Sequence, residues 1–228
     1  MAGPALPPLV SGAWLAGNLD RVRVVDVRWY LDRSRSGRAA YRGGHIPGAV
    51  WLDVDTDLSE PASASGGRHP LASPRRFASA LGRAGIAAGT PVVAYDDASG
   101  STAGRLWWML HALGEPAAVL DGGIDAWPGG LTAEVPSFPA VSRVAVPWPA
   151  QRFVGAGEVA ATVARTAGTA PRPVFDARAA ERFSRGDPEV DPRPGHIPGA
   201  LSAPWAGNVD ESGRFLPPAR LRDRFAAA

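Results

Sequence analysis

The same six residues, GHIPGA, occur at Gly44–Ala49 and again at Gly195–Ala200. The proline fixes its own backbone and pushes the preceding isoleucine into an extended conformation, while the glycines accept angles that other residues resist. The hexapeptide therefore predicts a tightly shaped turn. Because AVWLDV follows it in the first place and ALSAPW in the second, we expect the turn to lead into a β-strand.

The segments around the hexapeptide repeat as well. The first copy contains VVDVRW, LASPRRFASALGRAG, PVVAYDD, RLWWMLHALG and AAVLDGGIDAWPGG, whereas the second contains VFDARA and LPPARLRDRFAAA, where the sequence ends. Such self-similarity indicates a duplicated unit, with about 45 residues of the first copy missing from the second. We expect one domain at 1–130, a proline-rich linker at 131–153 extended over both halves, and a partial domain at 154–228.

Short apolar runs between helical patterns predict an α/β fold. The expected strands, Arg21–Val27, Pro91–Tyr95, Ala117–Leu120 and Pro173–Ala177, lack the polar alternation of a half-exposed strand. A helix is expected over Pro74–Ala84, with Ser73 as its N-cap and proline in its first position, and another over Ala103–Leu113. We therefore expect each domain to be a parallel sheet flanked by helices, the second of them incomplete.

The composition excludes several classes of function. The 228 residues are 45% hydrophobic, and no apolar run approaches the roughly 20 residues of a membrane span. The N-terminus lacks the basic start and long apolar core of a signal peptide, so a cytoplasmic location is expected. The net charge is only +2, and the arginines are scattered among acidic and apolar residues, which argues against a nucleic-acid partner.

An aspartate and a histidine recur at matching positions of the two copies. Asp26 and Asp176 end strand-like runs, and His45 and His196 lie in the turns that follow, so each pair could meet. A catalytic dyad is one interpretation, but neither copy offers a nearby nucleophile. We expect these four residues to be structural, fixing the loops through hydrogen bonds.

The chain contains no cysteine. Disulfide bonds, cysteine-ligated zinc and a cysteine nucleophile are therefore excluded within these 228 residues.

Taken in order, the segments DVR, GHIPGA, YDD, WWML and LDGGIDAW resemble the rhodanese family, and specifically its tandem-domain thiosulfate and 3-mercaptopyruvate sulfurtransferases. The similarity extends over nearly the whole chain. It implies a non-catalytic first domain and a second domain whose cysteine accepts sulfane sulfur as a persulfide. The sulfur would come from a small anionic donor and pass to a thiol or to cyanide, without a metal or organic cofactor.

The resemblance also implies which residues belong to the site. In the family, the cysteine opens a loop whose backbone N–H groups form an anion cradle at a helix N-terminus. In the first copy Asp96 is closest to that place, with Asp97 beside it, and a carboxylate can cap the helix but cannot carry sulfane sulfur. The sequence ends before the matching loop of the second copy, so we expect the 228-residue chain to be inactive.

Two arginines of the second copy are candidates for binding the anionic substrate. Arg182 matches the family's substrate-binding arginine, and Arg193, or Arg185 nearby, lies where mercaptopyruvate-specific members place a second one. A solvent-exposed arginine without such a role remains the alternative for Arg185 and Arg193. Three functions stay open: a sulfurtransferase, a non-catalytic binding or regulatory module, and a phosphatase of the same fold that would need the same cysteine.

Overall fold

A computed structural model describes residues 6–32, 34–63, 66–165, 173–188 and 194–226. The chain divides into two compact units, Met1–Pro149 and Ala150–Ala228. Within the described residues no helix combines the length and the apolar character needed to cross a membrane.

In its described part, unit 1 contains a five-stranded sheet with the strands β1 (Leu9–Val10), β2 (Arg23–Asp26), β3 (Val50–Trp51), β4 (Val92–Tyr95) and β5 (Ala117–Leu120). The strand order is β1-β5-β4-β2-β3, and every neighbouring pair of strands is parallel. Its helices are α1 (Gly12–Ala16), α2 (Gly37–Gly43), α3 (Pro74–Arg83) and α4 (Ala103–Ala112), with a 3₁₀ turn at Gly123–Ala126. The parallel α/β class is therefore confirmed for this unit, while β1 has no counterpart among the expected strands.

Alternate residues of the central strands enter two separate cores. Val25, Val92 and Ala94 pack with the apolar faces of α3 and α4, whereas Val24 and Val93 pack with α1 on the opposite side of the sheet. Both faces of the sheet are thus covered. This double coverage is the reason that the strands read as continuous apolar runs.

Helix α3 begins as the sequence predicts. Pro74 occupies the first turn, where its missing N–H costs nothing, and the Ser73 hydroxyl accepts a hydrogen bond from the Arg76 N–H at 3.4 Å. The helix ends at Arg83, one residue before the expected end. Phe77 and Leu81 lie on its buried face and anchor it to the sheet.

The hexapeptide of unit 1 makes the turn into β3. Gly48 has a φ of +77°, a conformation that L side chains rarely adopt, and Ile46 is fully buried in the core beside α1. The backbone of His45 forms reciprocal hydrogen bonds of 2.9 Å with Thr132. In unit 2 the matching glycine, Gly199, has a φ of +82°, so the same six residues take up the same turn twice.

The sequence left open that Asp26 and His45 meet, and in the structure each of them forms hydrogen bonds with other groups. Asp26 receives the Arg28 guanidinium, with Nη2 at 2.6 Å, and the hydroxyl of Tyr95 at 2.8 Å. Both ring nitrogens of His45 lie against backbone carbonyls, those of Tyr41 at 2.8 Å and Glu134 at 3.1 Å. The guanidinium two residues away offers the buried Asp26 carboxylate a charged, two-pronged partner.

Residues 131–149, which we expected to lie in a linker over both halves, belong to unit 1. The Val141 N–H donates to the Gly82 carbonyl at 3.0 Å, and the indole of Trp148 donates to the Ala72 carbonyl at 2.9 Å. Arg143 forms an ion pair with Glu115 at 2.7 Å, and the Arg143 side chain is only 5% exposed. These contacts fix the proline-rich segment to the α3 side of the sheet, and the second unit begins at Ala150.

Unit 2 is smaller in its described part. It contains α5 (Ala156–Arg165), β6 (Phe175–Asp176), α6 (Ala180–Arg185), β7 (Leu201–Ser202) and α7 (Pro218–Ala226), with 3₁₀ turns at Ala150–Arg152 and Trp205–Asn208. The described strands β6 and β7 form a parallel pair in which Phe175 is opposite Leu201. Phe175 and Leu201 are each 37% exposed, so much of their apolar surface remains in contact with water.

The matching Asp–Arg pairs of the two units should differ in what they contribute to stability. Asp26 is fully buried, so we expect Arg28→Met to leave an uncompensated charge and to lower the free energy of unfolding by about 3–5 kcal/mol. The Arg178–Asp176 pair of unit 2 is more exposed, so we expect Arg178→Met to lower the free energy of unfolding by only about 1 kcal/mol. Amide hydrogen exchange at Val93 and at Leu201 reports on each unit separately. Equal losses in the two units would contradict the difference in burial as their cause.

Candidate active site

A loop between β4 and α4 of unit 1 encloses a carboxylate. The Asp96 side chain is fully buried and accepts hydrogen bonds from four backbone N–H groups. The donors are Ala98 at 2.9 Å and Gly100, Thr102 and Ala103, each at 2.8 Å. The Thr102 hydroxyl adds a contact of 3.0 Å. The loop is therefore an anion cradle, and its anion is a side chain of the protein.

The position of this cradle follows from the topology. It lies at the carboxyl end of β4, and the N-terminus of α4 points its free N–H groups at Asp96. Ser99 and Gly100 have φ values of +54° and +83°, which curl the chain back over the carboxylate. The Thr102 hydroxyl also donates to the Val27 carbonyl at 2.8 Å and so joins the loop to the residue after β2.

The LDGG segment closes the other side of the cradle. The Ile124 N–H donates to the backbone carbonyl of Asp96 at 2.8 Å. Gly123 has a φ of +60°, and a Cβ at this position would collide with the same carbonyl oxygen. Only glycine permits the backbone at position 123 to come this close to the Asp96 carbonyl, which explains why the LDGG segment has glycine there.

Asp97 has a different environment from Asp96. Its side chain is 22% exposed and accepts a hydrogen bond of 2.6 Å from the Tyr30 hydroxyl, with Arg35 at 3.5 Å. The Arg35 guanidinium lies over the Tyr30 ring, 3.6 Å from its centroid. Burial, together with the hydrogen bond to Asp97, raises the pKa of Tyr30. Of the two aspartates, Asp96 fills the loop and Asp97 lies on its outer side.

Arg105 supports the neighbouring loop, a role that the sequence did not reveal. Its guanidinium donates to the carbonyls of Leu58 at 2.9 Å, His69 at 3.1 Å and Pro70 at 3.2 Å, and to the Ser59 hydroxyl at 3.0 Å. Burial lowers the pKa of Arg105. The only local signal was an arginine directly before the apolar run LWWML.

Unit 2 repeats the Asp–Arg arrangement of unit 1. Arg178 Nη2 lies 2.6 Å from Asp176 and donates to the Gly195 carbonyl at 2.8 Å. Hydrogen bonds from Arg178 lower the pKa of Asp176, and the charge of His196 adds to the effect. His196 stacks on the Phe183 ring with a centroid distance of 3.7 Å, and its Nδ1 lies 2.9 Å from the Phe183 carbonyl. The His196 ring therefore packs against Phe183 of α6.

Arg182 lies in the last turn of α6 and is partly buried. Its carbonyl accepts a hydrogen bond of 3.0 Å from Gly186, which closes the helix at its C-terminus. Arg185 is exposed on the same helix. Arg193 lies outside the described residues.

Comparison with known proteins identifies the family. The model of the rhodanese-like domain matches residues 11–129. The chain is 40% identical over 215 residues to the "Putative thiosulfate sulfurtransferase SseB" of Mycobacterium tuberculosis, with 91% of this chain and 74% of that protein covered. It is 38% identical over 227 residues to the "Probable 3-mercaptopyruvate sulfurtransferase" of Pseudomonas aeruginosa, with 96% and 78% covered.

A solved structure supports the same assignment. The crystal structure of SseA from Escherichia coli, described as a 3-mercaptopyruvate sulfotransferase of rhodanese fold, matches with a TM-score of 0.84 and 30% identity. The match covers 96% of this chain and 83% of that one. The chain is thus similar to sulfurtransferases through both of its units, and it belongs to the rhodanese family.

Proposed function

We propose that this chain serves in a sulfurtransferase that moves sulfane sulfur from thiosulfate or 3-mercaptopyruvate to a thiol or to cyanide. The observation that carries the proposal is similarity across both units, at 40% identity to the M. tuberculosis protein and 38% to the P. aeruginosa protein over more than nine-tenths of this chain. The same similarity weighs against the alternative of a non-catalytic binding or regulatory module.

The proposed reaction needs a thiolate that these 228 residues do not contain. The thiolate attacks the sulfane sulfur, the bond from that sulfur to the rest of the donor breaks, and sulfite or pyruvate leaves. The resulting persulfide then gives its outer sulfur to the acceptor, forming thiocyanate from cyanide and restoring the thiolate. We propose that the cysteine lies beyond the sequence given, in the part that would follow unit 2.

Within this proposal, Arg182 binds the negative charge of the donor. Its support is its match to the family's substrate-binding arginine and its partial burial on α6, just after the Asp176–Arg178 pair. A partly buried guanidinium holds a carboxylate or sulfonate more strongly than an exposed one, because less water competes. Arg193 is proposed as a second contact on the sequence match alone.

Unit 1 is proposed to be non-catalytic. Asp96 already supplies the anion that its loop is shaped to hold, and a carboxylate cannot form a persulfide. Its proposed role is structural, since it neutralises the partial positive charge of four inward-facing N–H groups and of the α4 N-terminus.

The 228-residue chain should form no thiocyanate from thiosulfate and cyanide above the uncatalysed rate, because it lacks a sulfur-accepting thiol. Iodoacetamide provides the control, since it inactivates a contaminating cysteine enzyme and has no cysteine to modify in this chain. Turnover that survives iodoacetamide would refute the proposed mechanism.

Arg182→Met should raise the KM for 3-mercaptopyruvate or thiosulfate about tenfold or more, because a hydrogen-bonded ion pair to the donor is lost. The measurement requires a longer form of the protein that carries the cysteine. Arg222→Met, at an exposed position of α7 in the same unit, is the matched control and should leave KM unchanged. An equal change in both variants, or in neither, would remove Arg182 from the binding site.

Asp96→Asn should lower the free energy of unfolding of unit 1 by about 3 kcal/mol, because an amide directs its own N–H group at donors that need an acceptor. Asp97→Asn should cost less than about 1 kcal/mol, since its carboxylate is partly solvated. Urea denaturation followed by tryptophan fluorescence, with hydrogen exchange at β4, checks both values. Equal effects of the two variants would show that the cradle does not depend on its internal anion.

A further inference from the structure

A groove on unit 1 lies apart from the Asp96 loop and has no part in the proposed reaction. Its cavity of about 320 Å³ lies between α2, the edge strand β3, α3 and the extended residues Val135 and Pro136. It continues into a hollow of about 400 Å³ that shares both residues of this wall. Val135 is 58% exposed, so the groove is long and open rather than enclosed.

The groove carries uncompensated positive charge. Arg38, Arg42 and Arg83 line it, and Asp57 is the acidic residue among its lining. Asp57 is already paired with Arg83 at 2.7 Å. Within the part of the chain that the structure describes, no carboxylate pairs with Arg38 or Arg42, and both are exposed. Their separation of four residues on α2 places two like charges side by side, an arrangement that favours an anionic partner.

The groove also contains a free strand edge. Among the described strands β3 pairs only with β2, and the Leu52 N–H donates to the Asp26 carbonyl at 3.1 Å. Hydrogen bonding in a parallel ladder uses alternate residues, so the N–H and C=O of Trp51 lie on the opposite, outer edge. Trp51 is one of the residues that line the groove. An extended peptide added at this edge would therefore gain backbone hydrogen bonds.

We propose that this groove binds an extended acidic peptide segment of a partner protein, which adds to the edge of β3 and pairs its carboxylates with Arg38 and Arg42. The open shape favours a peptide over a small anion, because small-molecule sites enclose most of their ligand. The apolar wall formed by Val135 and Pro136 provides contact for the side chains that alternate with the acidic ones.

The test uses a fluorescein-labelled peptide in which valine and glutamate alternate, titrated with the 228-residue chain and followed by fluorescence anisotropy. Saturable binding is expected. Arg38→Gln with Arg42→Gln should weaken it about tenfold, because two partly shielded ion pairs are lost. Replacing every glutamate of the peptide by glutamine should weaken binding to the unmodified protein by a similar factor.

The control variant combines Arg21→Gln and Arg75→Gln, which removes the same charge from outside the groove. Its affinity should equal that of the unmodified protein, and equal weakening in both double variants would overturn the proposal in favour of non-specific attraction. All four positions are exposed, so unchanged melting temperatures are expected to show intact folding.

Two further arms examine the mode of binding. In an extended peptide, alternate backbone N–H groups point toward β3 and away from it. Methylation of the nitrogens that face β3 should therefore lower the affinity at least tenfold, whereas methylation of the other nitrogens should not. Two peptides with opposite methylation patterns are compared, and equal binding of both would overturn edge pairing. If free glutamate or sulfate displaces the labelled peptide at concentrations similar to that of the peptide, the groove is a small-anion site instead. Absence of binding at millimolar peptide would refute the groove as a docking surface.

Discussion

A carboxylate at the end of a central strand holds the arginine that in turn holds the hexapeptide turn. In unit 1, Asp26 ends β2 and receives the Arg28 guanidinium in two-pronged fashion, and the same guanidinium donates to the Gly44 carbonyl at 2.7 Å. Burial alone would lower the pKa of Arg28, but the hydrogen bonds and charge of Asp26 outweigh it and raise the pKa. The ion pair thus joins the end of β2 to the first residue of the hexapeptide turn, which leads into β3 and pairs with Thr132 through His45.

Unit 2 makes the same contacts at the matching atoms, with Arg178 between Asp176 and the Gly195 carbonyl. The surroundings differ, because the described sheet of unit 2 has two strands and its apolar residues Phe175 and Leu201 are partly exposed. An ion pair is strengthened when neighbouring elements exclude water from it. The geometry of the repeat is thus a local property, whereas its strength depends on how much of a domain surrounds it.

The backbone of the Asp96 loop forms an anion site, and the side chain that occupies this site determines its chemistry. Four N–H groups and a helix N-terminus converge on one point, and this point stabilises whichever anion the sequence places there. A thiolate in such a cradle is a reactive nucleophile, while a carboxylate is an internal cap. We propose that Asp96, in place of a thiolate, makes this loop structural rather than catalytic.

The sequence by itself determined the α/β class, the start of α3 at Ser73 and Pro74, the turn of each GHIPGA segment and membership of the rhodanese family. These features depend on residues close together in the chain, so their φ preferences, capping groups and apolar periodicity can be recognised directly in the sequence. Only the tertiary structure decided that Asp26 pairs with Arg28 rather than His45, and that residues 131–149 pack on unit 1. Both depend on which distant groups meet in a buried place, and there desolvation makes the best-matched partner prevail over the one suggested by spacing.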